Sequence, residues 1–168
     1  MSAGPCLIAA VDLNGRAEGI IQRAARLARF GNLRLVVTHV VEHHTGFESD
    51  HVPFATPAQL RAALARDARA WLVGVLHHLG MPETEIVVAE GRLGEALAAL
   101  AVEQRARTIV TGSLKWGAIS KLAGLAADPR LRSLRCDVLH VGDDGADGLG
   151  RRISALAARW LGGEHHNL

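Results

Sequence analysis

Two strand ends carry the residues of this chain that could do chemistry. One is the run Ile109-Val110-Thr111-Gly112-Ser113-Leu114-Lys115-Trp116-Gly117, an apolar β stretch that opens into a glycine-punctuated loop ending near Gly124. The other is Cys6-Leu7-Ile8-Ala9-Ala10-Val11, which runs straight into Asp12. Main-chain amides at the end of a buried strand are where α/β proteins hold phosphates. Glycine there lets the backbone approach an anion closely, and an adjacent aspartate can accept from an adenine amino group or a ribose hydroxyl. Lys115 and Lys121, the only lysines, both fall inside the loop and could add a charge-assisted contact. A plainer reading stands beside this one: Asp12 as an N-cap or turn former, Gly112, Gly117 and Gly124 as turn punctuation, and Trp116 as a cap on the core or on a dimer contact.

A second group, Glu42-His43-His44 with Glu48, Asp50 and His51, concentrates the ligand types that zinc or nickel takes. Its spacing matches no compact ligand motif, so a solvated polar loop is expected and no metal is assigned; a metal-responsive protein stays as an alternative. The adjacent pairs His77-His78 and His165-His166 cannot face one another on a helix. His39 and His140, inside strands, read as packed or edge histidines. The chain has no Gly-x-x-x-x-Gly-Lys-Ser/Thr loop, no Gly-x-Ser-x-Gly elbow and no His-Glu-x-x-His, and no base is assigned to Ser113. Binding rather than catalysis is expected, with slow ATP hydrolysis left open.

The elements that position these residues alternate from end to end. Apolar β-type runs at Cys6–Val11, Leu33–Val41, Glu85–Ala89, Thr108–Gly112 and Asp137–Val141 are separated by segments of helical period. The first helix, Ala17–Phe30, sets Ile20, Ile21, Ala24, Leu27 and Ala28 on one face, and Gly31 stands where a left-handed cap belongs. The second opens with Thr56 as N-cap and Pro57 at its first position. It carries Leu60, Leu64, Ala68, Trp71, Leu72, Val75 and Leu79, and stops at Gly80 and Pro82. A third spans Leu93–Gln104, and a short fourth begins at Asp128-Pro129. Continuous Val/Ile/Leu strands between such helices predict a parallel sheet covered on both faces, in a single doubly wound α/β domain.

At 168 residues one domain is the simplest division, with a core large enough to need no disulfide or metal. No apolar run reaches the roughly 18 residues of a membrane span, and no basic leader precedes the first strand, so a cytoplasmic protein is expected. A net charge of +2, scattered arginines and the absence of tyrosine argue against nucleic acid as a partner. The near-exclusive use of arginine points to a GC-rich bacterial genome. Cys6 and Cys136 begin the first and last strands with one strand between them, beyond disulfide reach, so both should be free thiols.

With this order of elements the chain resembles the universal stress protein family over residues 5–141. The resemblance rests on Ala10-Val11-Asp12, Thr38-His39-Val40-Val41-Glu42, Glu90-Gly91-Arg92-Leu93-Gly94-Glu95-Ala96-Leu97 and Ile109-Val110-Thr111-Gly112-Ser113. It implies five strands in the order 3-2-1-4-5, a homodimer joined through the fifth strand, and a small regulatory stress-response protein of either an ATP-binding or a non-binding branch. It also makes Asp12 the adenine-site aspartate and Val40 an apolar residue packed on the base. The binding branch reads Gly-x-x-Gly, nine residues, then Gly-Ser or Gly-Thr. Here Gly112 is kept, Lys115 holds the second place, Gly117 comes two positions late, and Gly124 is followed by Leu125. These departures remove phosphate donors. The nucleotide site implied is Asp12, Val40, Gly112, Ser113, Lys115, Gly117 and Gly124, with ATP as ligand and magnesium only in its company.

Beyond Val141, residues 142–150 read as a flexible acidic linker and residues 151–168 as an appended amphipathic helix and tail. Ile153, Leu156, Ala157, Trp160 and Leu161 form one side of that helix, with Arg151, Arg152 and Arg159 on the other. Folding back on its own domain or on a dimer mate is favoured over a membrane surface; docking on a regulatory protein is a further role. A nucleotide-free interaction module working through the dimer and this helix is therefore the main alternative to a nucleotide switch.

Overall fold

In a computed structural model, residues 4–13, 16–42, 56–112, 125 and 128–141 are described. The elements are β1 (Cys6–Ala10), α1 (Ala17–Phe30), β2 (Arg34–Val41), α2 (Pro57–His78), β3 (Glu85–Glu90), α3 (Leu93–Gln104), β4 (Ala106–Gly112), α4 (Pro129–Leu134) and β5 (Asp137–Val141). All five strands pair in parallel in the order β3-β2-β1-β4-β5, as the alternating pattern and the family resemblance predict. The polar loop at 43–55, the linker and the terminal helix lie outside the described residues.

Side chains of β1 divide the core in two. Leu7, Ala9 and Val11 point to the face covered by α1 and α2, where they meet Ile20, Ile21, Leu72 and Leu76. Cys6, Ile8 and Ala10 point to the face covered by α3 and α4, where they meet Leu97, Leu100 and Leu131. Every residue of β1 is buried, as a central strand of a two-sided parallel sheet requires. Each fully buried Leu or Ile side chain contributes about 1.5–3 kcal/mol. The burial of both faces therefore holds the strand ends in register with one another.

Helix boundaries follow local chemistry. Thr56 Oγ1 accepts from the Gln59 N–H at 3.2 Å while Gln59 Oε1 accepts from the Thr56 N–H at 2.7 Å, a reciprocal capping box closed by Pro57. At the end of α1 the expectation needs correcting: Gly31 has φ −83°, and Asn32 at φ 49° is the left-handed residue. The Gly31 N–H donates to the Leu27 carbonyl, and the turn closes one residue later when the Leu33 N–H donates to the Ala28 carbonyl. Asn tolerates this conformation well enough for it to serve in place of glycine.

The apolar face expected of α2 is also shorter than its sequence suggests. Leu60 and Leu64 stand exposed, and packing on the sheet begins at Ala68. A 22-residue helix is roughly 33 Å long and the 8-residue strand before it roughly 26 Å, so the first turns of α2 overshoot the sheet. Both cysteines are free thiols, Cys6 buried and Cys136 half-buried.

Candidate functional site

The strand order sets the site. The chain winds from β1 through β2 to β3 with α1 and α2 on one face, then crosses with α3 to β4 on the other side of β1. Winding therefore reverses between β1 and β4, and neighbouring crossovers leave a crevice beyond the carboxyl ends of these two strands. Ala10 lies opposite Thr111, so Asp12 and Gly112 leave the sheet side by side. Asp12 is exposed there.

Val40, expected to pack on a base, lies near the end of β2. Its side chain is only 6% exposed and belongs to the core under α3. The Val11 N–H donates to the Thr38 carbonyl at 2.9 Å, so the main chain of Thr38 faces β1. Main-chain groups alternate along a strand, and Val40, two residues further, turns its N–H and C=O to that same side. By then β1 has given way to Asp12. Val40 thus turns its main-chain N–H and C=O to the side on which β1 has ended.

His39 is the residue that sequence reasoning missed. Its Nδ1 lies 2.9 Å from the Val11 carbonyl oxygen. A carbonyl only accepts, so Nδ1 carries the proton and donates. This bond holds the main chain immediately before Asp12 against β2. Within a strand pattern the side chain reads as merely packed, because its partner lies 28 residues away in sequence.

Gly112 is the last residue of β4, opposite Val141. A Cβ placed on it would lie 2.1 Å from Ile20 Cδ1 and 3.0 Å from Ile20 Cγ1. The close approach of Ile20 from α1 to β4 therefore favours glycine here, beside the turn-making and phosphate access read from the sequence. Ser113, Lys115, Gly117 and Gly124 lie outside the described residues. Glu42, grouped in sequence with the histidine loop, instead reaches α3: its Oε1 accepts from the Leu93 N–H at 3.4 Å. The N-cap residue of that helix, Arg92, supplies no side-chain cap, so Glu42 caps its first turn and adds to the negative charge of Glu95 there. Among the described residues no group of three or more His, Cys, Asp and Glu could hold a metal.

Burial pushes the Cys6 thiol up to about 11, with Arg34 opposing and Glu85 adding to the rise. Burial likewise pushes Cys136 up to about 12, helped by Asp137 and Cys6. Neither is a ready nucleophile. Among the described residues no helix is long and apolar enough to cross a membrane.

Comparison with known proteins agrees with this fold. The sequence model of the Universal stress protein family matches residues 7–142. Universal stress protein A homolog 1 of Coxiella burnetii is 29% identical over 135 residues, spanning 80% of this chain and 94% of that protein. A family member of known structure from Burkholderia pseudomallei is 25% identical, with a TM-score of 0.56 over 80% of this chain and 94% of its own. The universal stress protein from Archaeoglobus fulgidus in complex with dAMP shares the fold at 17% identity, with a TM-score of 0.51 over 82% of this chain and 97% of its own. On the strength of the match over residues 7–142, this chain belongs to the universal stress protein family.

Proposed function

We propose that this protein is a nucleotide-responsive regulator that binds ATP at the β1–β4 crevice and works as a homodimer in the cytoplasm. The observation that carries the reading is the reversal of winding between β1 and β4, with Asp12 exposed just beyond β1 and the main chain of Val40 directed to that side. A carboxylate beside a donor and an acceptor suits the edge of an aminopurine and its ribose. The A. fulgidus protein holding dAMP is consistent with it at the level of the fold. In this reading Ser113, Lys115, Gly117 and Gly124 carry the phosphates, and magnesium accompanies ATP.

The steric demand at Gly112 supports the second reading, a nucleotide-free interaction module. The contact with Ile20 gives this glycine a packing reason that needs no phosphate. In either reading β5, an edge strand whose first four residues are half-buried, is the surface for a second copy. The helix at 151–161 is then a surface for a regulatory partner.

The test is the thermal midpoint with and without about 1 mM Mg-ATP. Ligand at 100 times its dissociation constant stabilises by about 2.7 kcal/mol, a rise of roughly 5–10 °C at this size. That rise should vanish in Asp12→Ala. No shift in the parent protein supports the interaction module instead.

A further inference from the structure

The amino ends of the strands carry a second feature, remote from Asp12. Two adjoining cavities, each of about 470 Å³, share Leu35, Gly80, Met81 and Thr84 and so form one groove. It lies between the C-terminal turns of α1 and α2. The helices end in the same way: a left-handed residue, Asn32 in one and Gly80 in the other, is followed by a large apolar residue turned back toward the helix. The Leu33 N–H donates to the Ala28 carbonyl and the Met81 N–H to the Leu76 carbonyl, both at 2.8 Å. The apolar residue after such a turn normally covers its own helix. Here Leu33, Leu35, Leu79 and Met81 remain half-buried along the groove.

One wall of the groove is charged. Arg26 and Arg29 are exposed on the last two turns of α1, and among the described residues neither has a carboxylate partner. Arginine near a helix C-terminus interacts favourably with the dipole, which explains the charge but not the open apolar floor. The other end of the groove is lined by Met81, Pro82, Glu83 and Glu85. Glu85 is already paired with Arg34.

We infer that this groove binds an anionic amphiphile with a single carboxylate head, held by Arg26 and Arg29, and an aliphatic tail laid along Leu35 and Met81. Two exposed guanidiniums match one carboxylate, and a flexible methionine suits an irregular alkyl chain. A polyanion or an acidic peptide fits less well, because its further charges would pass Glu83 and Glu85.

The experiment is calorimetric titration of the full-length protein with decanoate, octanoate and decanol below their aggregation limits. Decanoate should bind about tenfold more tightly than octanoate, since each buried methylene contributes a factor of about four before losses at the open groove. Decanol should bind at least tenfold more weakly than decanoate. R26E/R29E, and separately Met81→Glu, should lower decanoate affinity at least tenfold, with unchanged circular dichroism. Asp12→Ala should leave it unchanged, which separates this site from the nucleotide crevice. Absence of decanoate binding, or equal binding by R26E/R29E, overturns the assignment. So does Arg-dependent binding of an acidic peptide without decanoate binding, or an oligomer dispersed by R26E/R29E, the last of which would assign the groove to a second copy.

Discussion

At the carboxyl ends of the strands, the sheet runs out before its hydrogen-bonding directions do. Val40 still turns its main chain toward a neighbour that has ended, and Asp12 stands exposed beside it. At the amino ends the helices close, and their turns send Leu33 and Met81 back over the strand starts. One end offers directed polar groups; the other offers shape and two exposed guanidiniums. A repeating βα unit therefore leaves directed main-chain groups at one pole and an open apolar groove at the other. The difference follows from which element terminates there.

The sharpest way to break this contrast is at Gly112, which belongs to the polar pole but is held by an apolar contact. Gly112→Ala should cost about 1–3 kcal/mol through overpacking on Ile20. In an Ile20→Val background, which lacks the Cδ1 atom, the same change should cost markedly less. Urea denaturation of the four proteins of this cycle measures the coupling. Additive effects would remove the steric account of the glycine.

Next in size is the alkaline behaviour of the amino pole, where Cys6 begins β1 and Cys136 precedes β5. Both folded pKa values lie above the unfolded value of about 8.5. Their contribution to stability is thus complete below that pH and lost as the pH rises toward 11–12. Relative to a Cys6→Ala/Cys136→Ala protein, the parent should lose about 1 kcal/mol per thiol at about pH 9.5. Equal loss in both proteins would mean that these thiols ionise normally.

At the same pole, Gly80 has φ +69°, and a Cβ added there would meet no atom within 4 Å. Gly80→Ala should then cost about 1 kcal/mol, from conformation alone. It should also weaken decanoate binding by displacing Met81. At the polar pole, Asp12→Asn should change stability by less than about 0.5 kcal/mol, while removing the thermal shift given by Mg-ATP. A large stability loss would make Asp12 structural rather than ligand-directed.

Much of this architecture is legible in the sequence because it is locally encoded. The β/α alternation, the Thr56-Pro57 start and the limits of α1 and α3 depend on periodicity and capping within a few residues. The left-handed turn at Asn32 is legible only to within one residue, since Gly31 is the more obvious candidate. The exposure of Leu60 and Leu64 depends on comparing a helix length with a strand length, which no single segment contains. At the crevice, Asp12 can be placed because a strand ends in front of it. The main-chain role of Val40 cannot, because direction depends on the ladder. Nor can the His39 bond or the Ile20 contact, which join residues far apart in the chain.

The two ways in which α2 and α3 are begun have a consequence for the order of folding. The cap of α2 joins Thr56 and Gln59, three residues apart, and can form as soon as that turn does. The cap of α3 reaches back from Leu93 to Glu42, across 51 residues that must first close into a loop. Amide protection during refolding should therefore appear at the start of α2 before the start of α3, so the helix that carries the chain across β1 is the later of the two to be secured.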